Sequence, residues 1–203
     1  MPFQTHETSI FVYNSFMKTS ISFFIAICAV SFLSAQTAGL PPLDKSPMDM
    51  SYYPYNYPVL RIQDKVTEPI AARVIYSRPQ KAGRSVFGEL VKFGEVWRLG
   101  ANEATEIQFY KTIRIAGKKI PKGRYTVYAI THPDSWTIII NMDTDTWGAF
   151  KYSSKKDIIR TDVPVQKSDT VVESLSMTFE KTPAGCNLIV AWDNIKTALP
   201  INF

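Results

Sequence analysis

Apolar and polar residues alternate with a period of two along much of the chain from residue 59 onward. Residues 106–115 set Ile107 and Phe109 between polar neighbours, and residues 124–131 put Tyr125 and Val127 on one face. This period is that of a half-buried β-strand and not of an α-helix. Runs rich in branched residues predict further strands at 60–66, 70–76, 158–165, 171–179 and 188–192.

Turn-forming residues separate these runs. Gly117 and Gly123 lie in short breaks that predict hairpins on both sides of a brief strand at 119–120. The unbroken apolar run in 136–141 predicts a strand that is covered on both faces. The sequence therefore predicts an all-β fold, an antiparallel β-sandwich of about eight or nine strands, with a β-barrel as the alternative.

The first 35 residues have the pattern of a signal peptide. Lys18 precedes the apolar run 21–33, and Ala35 supplies the small residue before a cleavage point at Gln36, while Met17 is a possible true start. The run is short for a membrane span, so we expect no stable span after processing; an uncleaved anchor is the alternative. The mature protein is then exported, to the periplasm or the extracellular space.

Residues 36–58 form a segment rich in proline and tyrosine, without helical or alternating periodicity. This composition predicts an extended arm ahead of a single β-rich domain at 59–203. Tyr52, Tyr53, Tyr55 and Tyr57 are close together in it. Their rings either stack on a sugar or a peptide, or lie along the domain and cover the edges of its core.

Composition excludes several classes of function. The chain has 203 residues, 45% of them apolar and 20% charged, and its net charge of +5 is spread along the sequence, which does not predict nucleic-acid binding. After cleavage Cys186 and His132 are the only residues of their types, so an internal disulfide and a multi-histidine metal site are excluded within one chain. We expect no metal and no cofactor, and Cys186 is interpreted as a buried packing residue.

One long stretch, 77–105, breaks the strand pattern. Long irregular segments inside compact domains are commonly functional. Arginine with an amide and an aromatic ring can hold a carboxylate, phosphate or sulfate. The structural alternative is that Arg98 pairs with Glu103 and that Trp97 belongs to the core. The predicted ligand-binding residues are Arg84, Trp97, Arg98, Asn102 and Glu103.

Several strings in and around this stretch resemble the DUF2911 family. The most distinctive is Trp-Arg-Leu-Gly-Ala-Asn-Glu-Ala-Thr at 97–105, and the similarity extends over 43–203. The resemblance implies a predominantly β fold, export, and a source among the Bacteroidetes. It implies no catalytic residues, because the biochemical role of the family is unassigned. The supporting strings are at 76–79, 83–88, 122–125, 136–137 and 147–149.

Two interpretations of function follow. The first is a non-enzymatic binding module that docks a small anionic or carbohydrate ligand, or an envelope protein, at 77–105. The second is a hydrolase that acts on a glycoside or a similar polymer with two carboxylates as acid and base. The candidates for that chemistry are Glu103, Asp157 and Glu106, although no spacing in the sequence pairs them. A sandwich fold is compatible with either role.

Overall fold

The structure is a computed structural model and describes residues 39–203. The signal-peptide prediction concerns residues outside this range. Residues from Asp44 to Phe203 form one unit, which contains every element described here. The elements are β1 (Met48–Tyr53), α1 (Tyr57–Ile62), β2 (Ala72–Ser77), β3 (Val96–Trp97), β4 (Glu106–Phe109), β5 (Ile113–Ile115), β6 (Lys118–Ile120), β7 (Gly123–Thr131), β8 (Ser135–Asn141), β9 (Asp157–Pro164), β10 (Gln166–Thr182) and β11 (Gly185–Asn202).

The strands form two antiparallel sheets. The first has the order β1-β2-β4-β7-β8-β9, with the short β3 paired to the end of β7, and the second has the order β10-β11-β5-β6. Within residues 39–203 neither sheet closes into a barrel. The predicted all-β sandwich is thus confirmed, and the barrel alternative is not.

The core lies between the sheets and is built by alternate residues of facing strands. Val127 on β7 and Ile138 on β8 face Leu188 and Val190 on β11, and all four are nearly inaccessible to solvent. Strand β8 is covered on both sides, as predicted from its unbroken apolar run. Ile139 points away from the main core and packs with Tyr128 and Ala104 in a second, smaller cluster.

The strand predicted at 60–66 is wrong, because the chain forms α1 there and then a loop. Pro58 lies in the first turn of α1, where its fixed φ suits a helix and its missing N–H costs no hydrogen bond. The backbone amides of Val59 and Leu60 both donate to the carbonyl of Asn56, at 2.9 and 3.0 Å. Val59, Ile62 and Val66 are exposed and Leu60 is only half-buried, so these side chains supply no buried face for a strand.

The single strand predicted at 106–115 is two strands in different sheets, β4 and β5. The break falls at Tyr110, whose backbone amide donates to the carbonyl of Ala71 at 2.9 Å. Ile107 and Ile113 are nevertheless both buried in the same core. Alternation reports which side of a strand is buried and not which sheet the strand joins, so the pattern continues across the break.

The tyrosine-rich segment contributes an edge strand. β1 pairs antiparallel with β2 along its whole length, from Met48 opposite Ser77 to Tyr53 opposite Ala72. Tyr53 is buried and its ring contacts Phe179 and Phe203. No helix in the described part of the chain is long and apolar enough to span a membrane.

Cys186 provides a test of this packing. The thiol is fully buried on β11, and burial, with a smaller effect of the charge on Glu68, raises its pKa from 9.0 to about 12. An unfolded thiol ionises near pH 9, so the contribution of this group to stability is complete below pH 9 and is lost as the pH rises to about 12. We expect Cys186→Ala to cost about 1 kcal/mol at pH 7 and to lose less stability than the wild type between pH 9 and pH 10.5.

The measurement is urea unfolding of both proteins at three pH values from 7 to 10.5. The buried tyrosines, whose pKa values are also raised, are common to both proteins and cancel in the difference. Equal loss of stability in the two proteins at alkaline pH would contradict a buried, protonated thiol.

Candidate functional site

Four aromatic side chains connect the irregular segment to both sheets. Trp97 on β3 stacks on Trp192 of β11, with ring centroids 6.0 Å apart and 21° between the planes, and meets Trp136 of β8 edge-on at 5.9 Å. Phe87, from the irregular segment, contacts all three indoles. The indole N–H of Trp97 donates to the carbonyl of Gly100 at 3.1 Å. With 9% of its surface exposed, Trp97 is a core residue with one edge accessible.

Arg98 follows Trp97 directly and borders two clefts. One, of about 330 Å³, is bounded by Leu90, Val96 and Phe150, and the other, of about 210 Å³, is bounded by Arg84 and Trp192. Trp97 and Arg98 line both clefts. We call this pair of cavities the Arg98 clefts.

Arg98 is half-buried, and its guanidinium has no partner among residues 39–203. Among residues 39–203 no carboxylate lies within 4.0 Å of it, and its Nε, which is inaccessible to solvent, makes no hydrogen bond. Burial accordingly lowers the pKa of Arg98. The pairing of Arg98 with Glu103 that was the structural alternative is therefore absent from the described residues. A cation kept in this state can bind an anion without first breaking an ion pair.

Arg84 stands at the exposed rim of the smaller Arg98 cleft. Its Nε donates to the backbone carbonyl of Lys81 at 3.0 Å, and its Nη2 donates to the backbone carbonyl of Gln80 at 2.6 Å. These bonds use backbone acceptors, so the charge of Arg84 is not neutralised by them. The cleft thus has one cation on its wall and a second at its mouth.

Asn102 and Glu103 lie apart from these arginines. The side-chain amide of Asn102 donates to a carboxylate oxygen of Asp44 at 2.9 Å, and the backbone carbonyl of Asn102 accepts from the backbone amide of Gly148 at 2.9 Å. Glu103 is exposed and borders a different cavity of about 130 Å³. The backbone turns between the two groups, with positive φ at Leu99 (53°) and Asn102 (58°). The five predicted ligand-binding residues therefore divide into two surfaces.

The three candidate carboxylates do not form one site. Glu106 faces Arg124 at 3.5 Å and accepts from the backbone amide of Asp145 at 2.6 Å. Glu103 and Glu106 border the same small cavity, whereas Asp157 is not among the residues that line it.

Asp157 is held inside a polar network on the outer side of the first sheet. Only 8% of its side chain is exposed, and it accepts hydrogen bonds from Asn141 (2.8 Å), Tyr152 (2.6 Å) and Arg160 (2.8 Å). Burial, together with the hydrogen bond to Asp157, raises the pKa of Tyr152 to about 12, so this phenol remains a donor. The arrangement is that of a satisfied structural carboxylate.

The sequence interpretation missed the apolar wall of the larger Arg98 cleft. Leu90 comes from the irregular segment, and Ala149 and Phe150 come from the loop after β8. Phe150 is 83% exposed beside a cavity that a cation also lines. No periodicity joins residue 150 to residue 98, so only the folded chain shows this proximity. In the described part of the chain, no three His, Cys, Asp or Glu side chains are grouped as metal ligands.

Comparison with known proteins gives one match. Residues 59–201 match the family described as "Protein of unknown function (DUF2911)". No curated protein and no solved structure matches the chain.

Paired substitutions separate a site residue from a scaffold residue. We expect Arg98→Met to leave the melting temperature unchanged or higher, because it removes a half-buried charge and strands no partner. Asp157→Asn should cost about 2 kcal/mol, because it replaces an acceptor of three hydrogen bonds by a group with one acceptor oxygen. Thermal and urea unfolding of the two variants give the comparison. A larger loss from Arg98→Met than from Asp157→Asn would show that Arg98 stabilises the fold.

Proposed function

The chain belongs to the DUF2911 family, and we propose that this member is an exported, non-enzymatic binding protein that holds a small anionic ligand in the Arg98 clefts. The observation that carries the proposal is the half-buried guanidinium of Arg98, which has no acidic partner in residues 39–203. A guanidinium presents a planar set of donors that match a carboxylate, phosphate or sulfate.

The surroundings of Arg98 support recognition of an anion. The stacked indoles of Trp97 and Trp192 give the smaller cleft a rigid wall, so little side-chain freedom is lost on binding. Arg84 adds positive charge at the entrance. A bound anion would accept hydrogen bonds from the terminal guanidinium nitrogens of Arg98, because Nε is inaccessible from the cleft. It would thereby offset the cost of holding that charge partly away from water.

The apolar residues around the larger Arg98 cleft indicate what the uncharged part of the ligand is. Leu90, Val91 and Phe150 border the larger cleft, which is the kind of surface that receives an apolar group or the apolar face of a sugar ring. The larger cleft, of about 330 Å³, is at the lower end of the size range of small-molecule sites, and the smaller, of about 210 Å³, has room only for a compact group. The proposed ligand therefore combines one anionic group with a compact apolar or sugar-like body. An envelope protein as the partner stays a prediction.

One observation bears on the glycoside hydrolase: Glu103 and Glu106 border the same cavity, which holds only about 130 Å³. Glu106 and Asp157 are both occupied by donors from the protein itself, and Asp157 lies in a separate network. That alternative stays a prediction, and the binding module is the function that the geometry supports best.

Arg98 is the residue to test for binding. Calorimetry with phosphate, sulfate, benzoate, hexanoate and glucuronate should identify an anion that binds the wild-type protein. We expect Arg98→Met to weaken that binding at least about tenfold, the effect of losing a charge-assisted hydrogen-bonded pair. The matched control is Arg114→Met, because Arg114 is an exposed arginine on β5 that does not line either cleft. Equal binding by Arg98→Met and the wild type would contradict the proposal.

Export has its own test. We expect the protein secreted by a bacterial host to begin at Gln36, because Ala35 ends a segment with the charge and apolar pattern of a signal peptide. Intact mass and N-terminal sequencing of the envelope and medium fractions identify the mature chain. A protein that keeps residues 21–33 and sediments with membranes would contradict cleavage.

A further inference from the structure

A further cleft, of about 580 Å³, lies among β1, α1 and the segment that follows β4. It shares no lining residue with the Arg98 clefts. We call it the tyrosine cleft, and the lining residues that matter for its chemistry are Tyr52, Tyr57, Arg61, Ile62, Ile70 and Tyr110.

The segments that carry these tyrosines are joined by backbone hydrogen bonds. The amide of Ala71 donates to the carbonyl of Tyr53, and the amide of Tyr110 donates to the carbonyl of Ala71, each at 2.9 Å. The amide of Tyr57 donates to the carbonyl of Pro54 at 3.2 Å, which connects α1 to the end of β1. The backbone positions of the three tyrosines are thus set before any ligand arrives, so that binding has to order only their side chains.

The rings expose both an apolar face and a polar tip. Tyr52, Tyr57 and Tyr110 are all half-buried. The hydroxyl of Tyr52 donates to the sulfur of Met50 at 3.0 Å, and within residues 39–203 the hydroxyls of Tyr57 and Tyr110 have no hydrogen-bond partner. A pyranose ring has apolar C–H faces and a rim of hydroxyl groups, and a wall of tyrosines complements both.

The charge of the residues that line the tyrosine cleft restricts the class of ligand that fits it. Arg61 lies on its rim, and in the described part of the chain its guanidinium has neither an ion pair nor a hydrogen bond. The lining includes no acidic residue. A neutral sugar or a proline-rich peptide would leave this cation unused, whereas a sugar carboxylate would accept a forked hydrogen bond from it.

From these observations we propose that the tyrosine cleft is a carbohydrate-binding site for uronate-containing saccharides. The rings of Tyr57 and Tyr110 stack on the sugar, and Arg61 binds its carboxylate. The site is separate from the Arg98 clefts and does not depend on what they bind.

The experiment is calorimetric titration of the full chain with a galacturonic acid tetrasaccharide, with cellotetraose as the neutral counterpart and a proline-rich decapeptide as the competing class. We expect the uronate to bind about tenfold more tightly than cellotetraose. Tyr57→Ala and Arg61→Gln should each weaken uronate binding about tenfold. The matched controls, Tyr55→Ala and Lys65→Gln, change an exposed tyrosine and an exposed cation that do not line the cleft, and should change it less than about twofold.

Arg98→Met, titrated with the same tetrasaccharide, should bind it as the wild type does, which separates this site from the Arg98 clefts. Circular dichroism and melting curves identify any variant that is not folded, and the Tyr57→Phe variant, which keeps the ring, should retain most of the affinity. Four results would overturn the proposal: no uronate binding, equal binding of cellotetraose, loss of binding in Arg98→Met with Arg61→Gln unaffected, or displacement of the uronate by the peptide.

Discussion

The stacking of Trp97 on Trp192 is the contact on which the rest of the candidate site depends. Trp97 belongs to the first sheet and Trp192 to the second, so the pair joins the two layers across the core. Phe87 packs against both rings and thereby brings the irregular segment down onto the sandwich. Burial of these large rings adds to the backbone hydrogen bonds that the segment makes, such as that from the amide of Gly94 to the carbonyl of Thr131 at 3.0 Å. The segment is irregular in its dihedral angles, and both kinds of contact hold it in place.

This packing explains the unusual state of Arg98. Trp97 is fixed by its neighbours, and Leu99, two residues later, is fully buried with a positive φ. Arg98 has to stand between these two anchors, so its side chain runs along the apolar walls to the clefts. A long arginine side chain can cover such walls with its methylene groups and still present its charge at one end. The core therefore determines the position of the cation.

How far the sequence predicts the structure depends on the kind of signal. Burial of Ile107 and Val127 was predictable, since alternation is a direct consequence of a strand with one buried face. Burial of Ile138 was predictable from the apolar run around it. Branched residues misled the prediction at 60–66, because Pro58 favours a helical first turn and no core lies beneath Val59 and Ile62.

For the candidate site, the sequence predicts the irregular segment, and the short Gly100 and Ala101 also predict a turn that separates Arg98 from Asn102 and Glu103. That pattern favours Asn102 and Glu103 as the functional half, whereas the cation without an acidic partner in residues 39–203 is Arg98. The turn has positive φ at Leu99 and at Asn102. Asparagine is one of the residue types that adopts this conformation, whereas leucine rarely does, so the sequence gives a signal at the second position and none at the first.

The arginines differ in whether the folded chain supplies them with partners. Six of those in residues 39–203 have side-chain, ion-pair or backbone partners, whereas the guanidinium groups of Arg61 and Arg98 have none there. A half-buried arginine is costly to hold without an acceptor, whereas an exposed one is hydrated. The half-buried Arg98 therefore supports the proposed anion site more strongly than the exposed Arg61 supports the proposed uronate site, where the tyrosine rings carry more of the argument. The partnered six are Arg73, Arg78, Arg84, Arg114, Arg124 and Arg160.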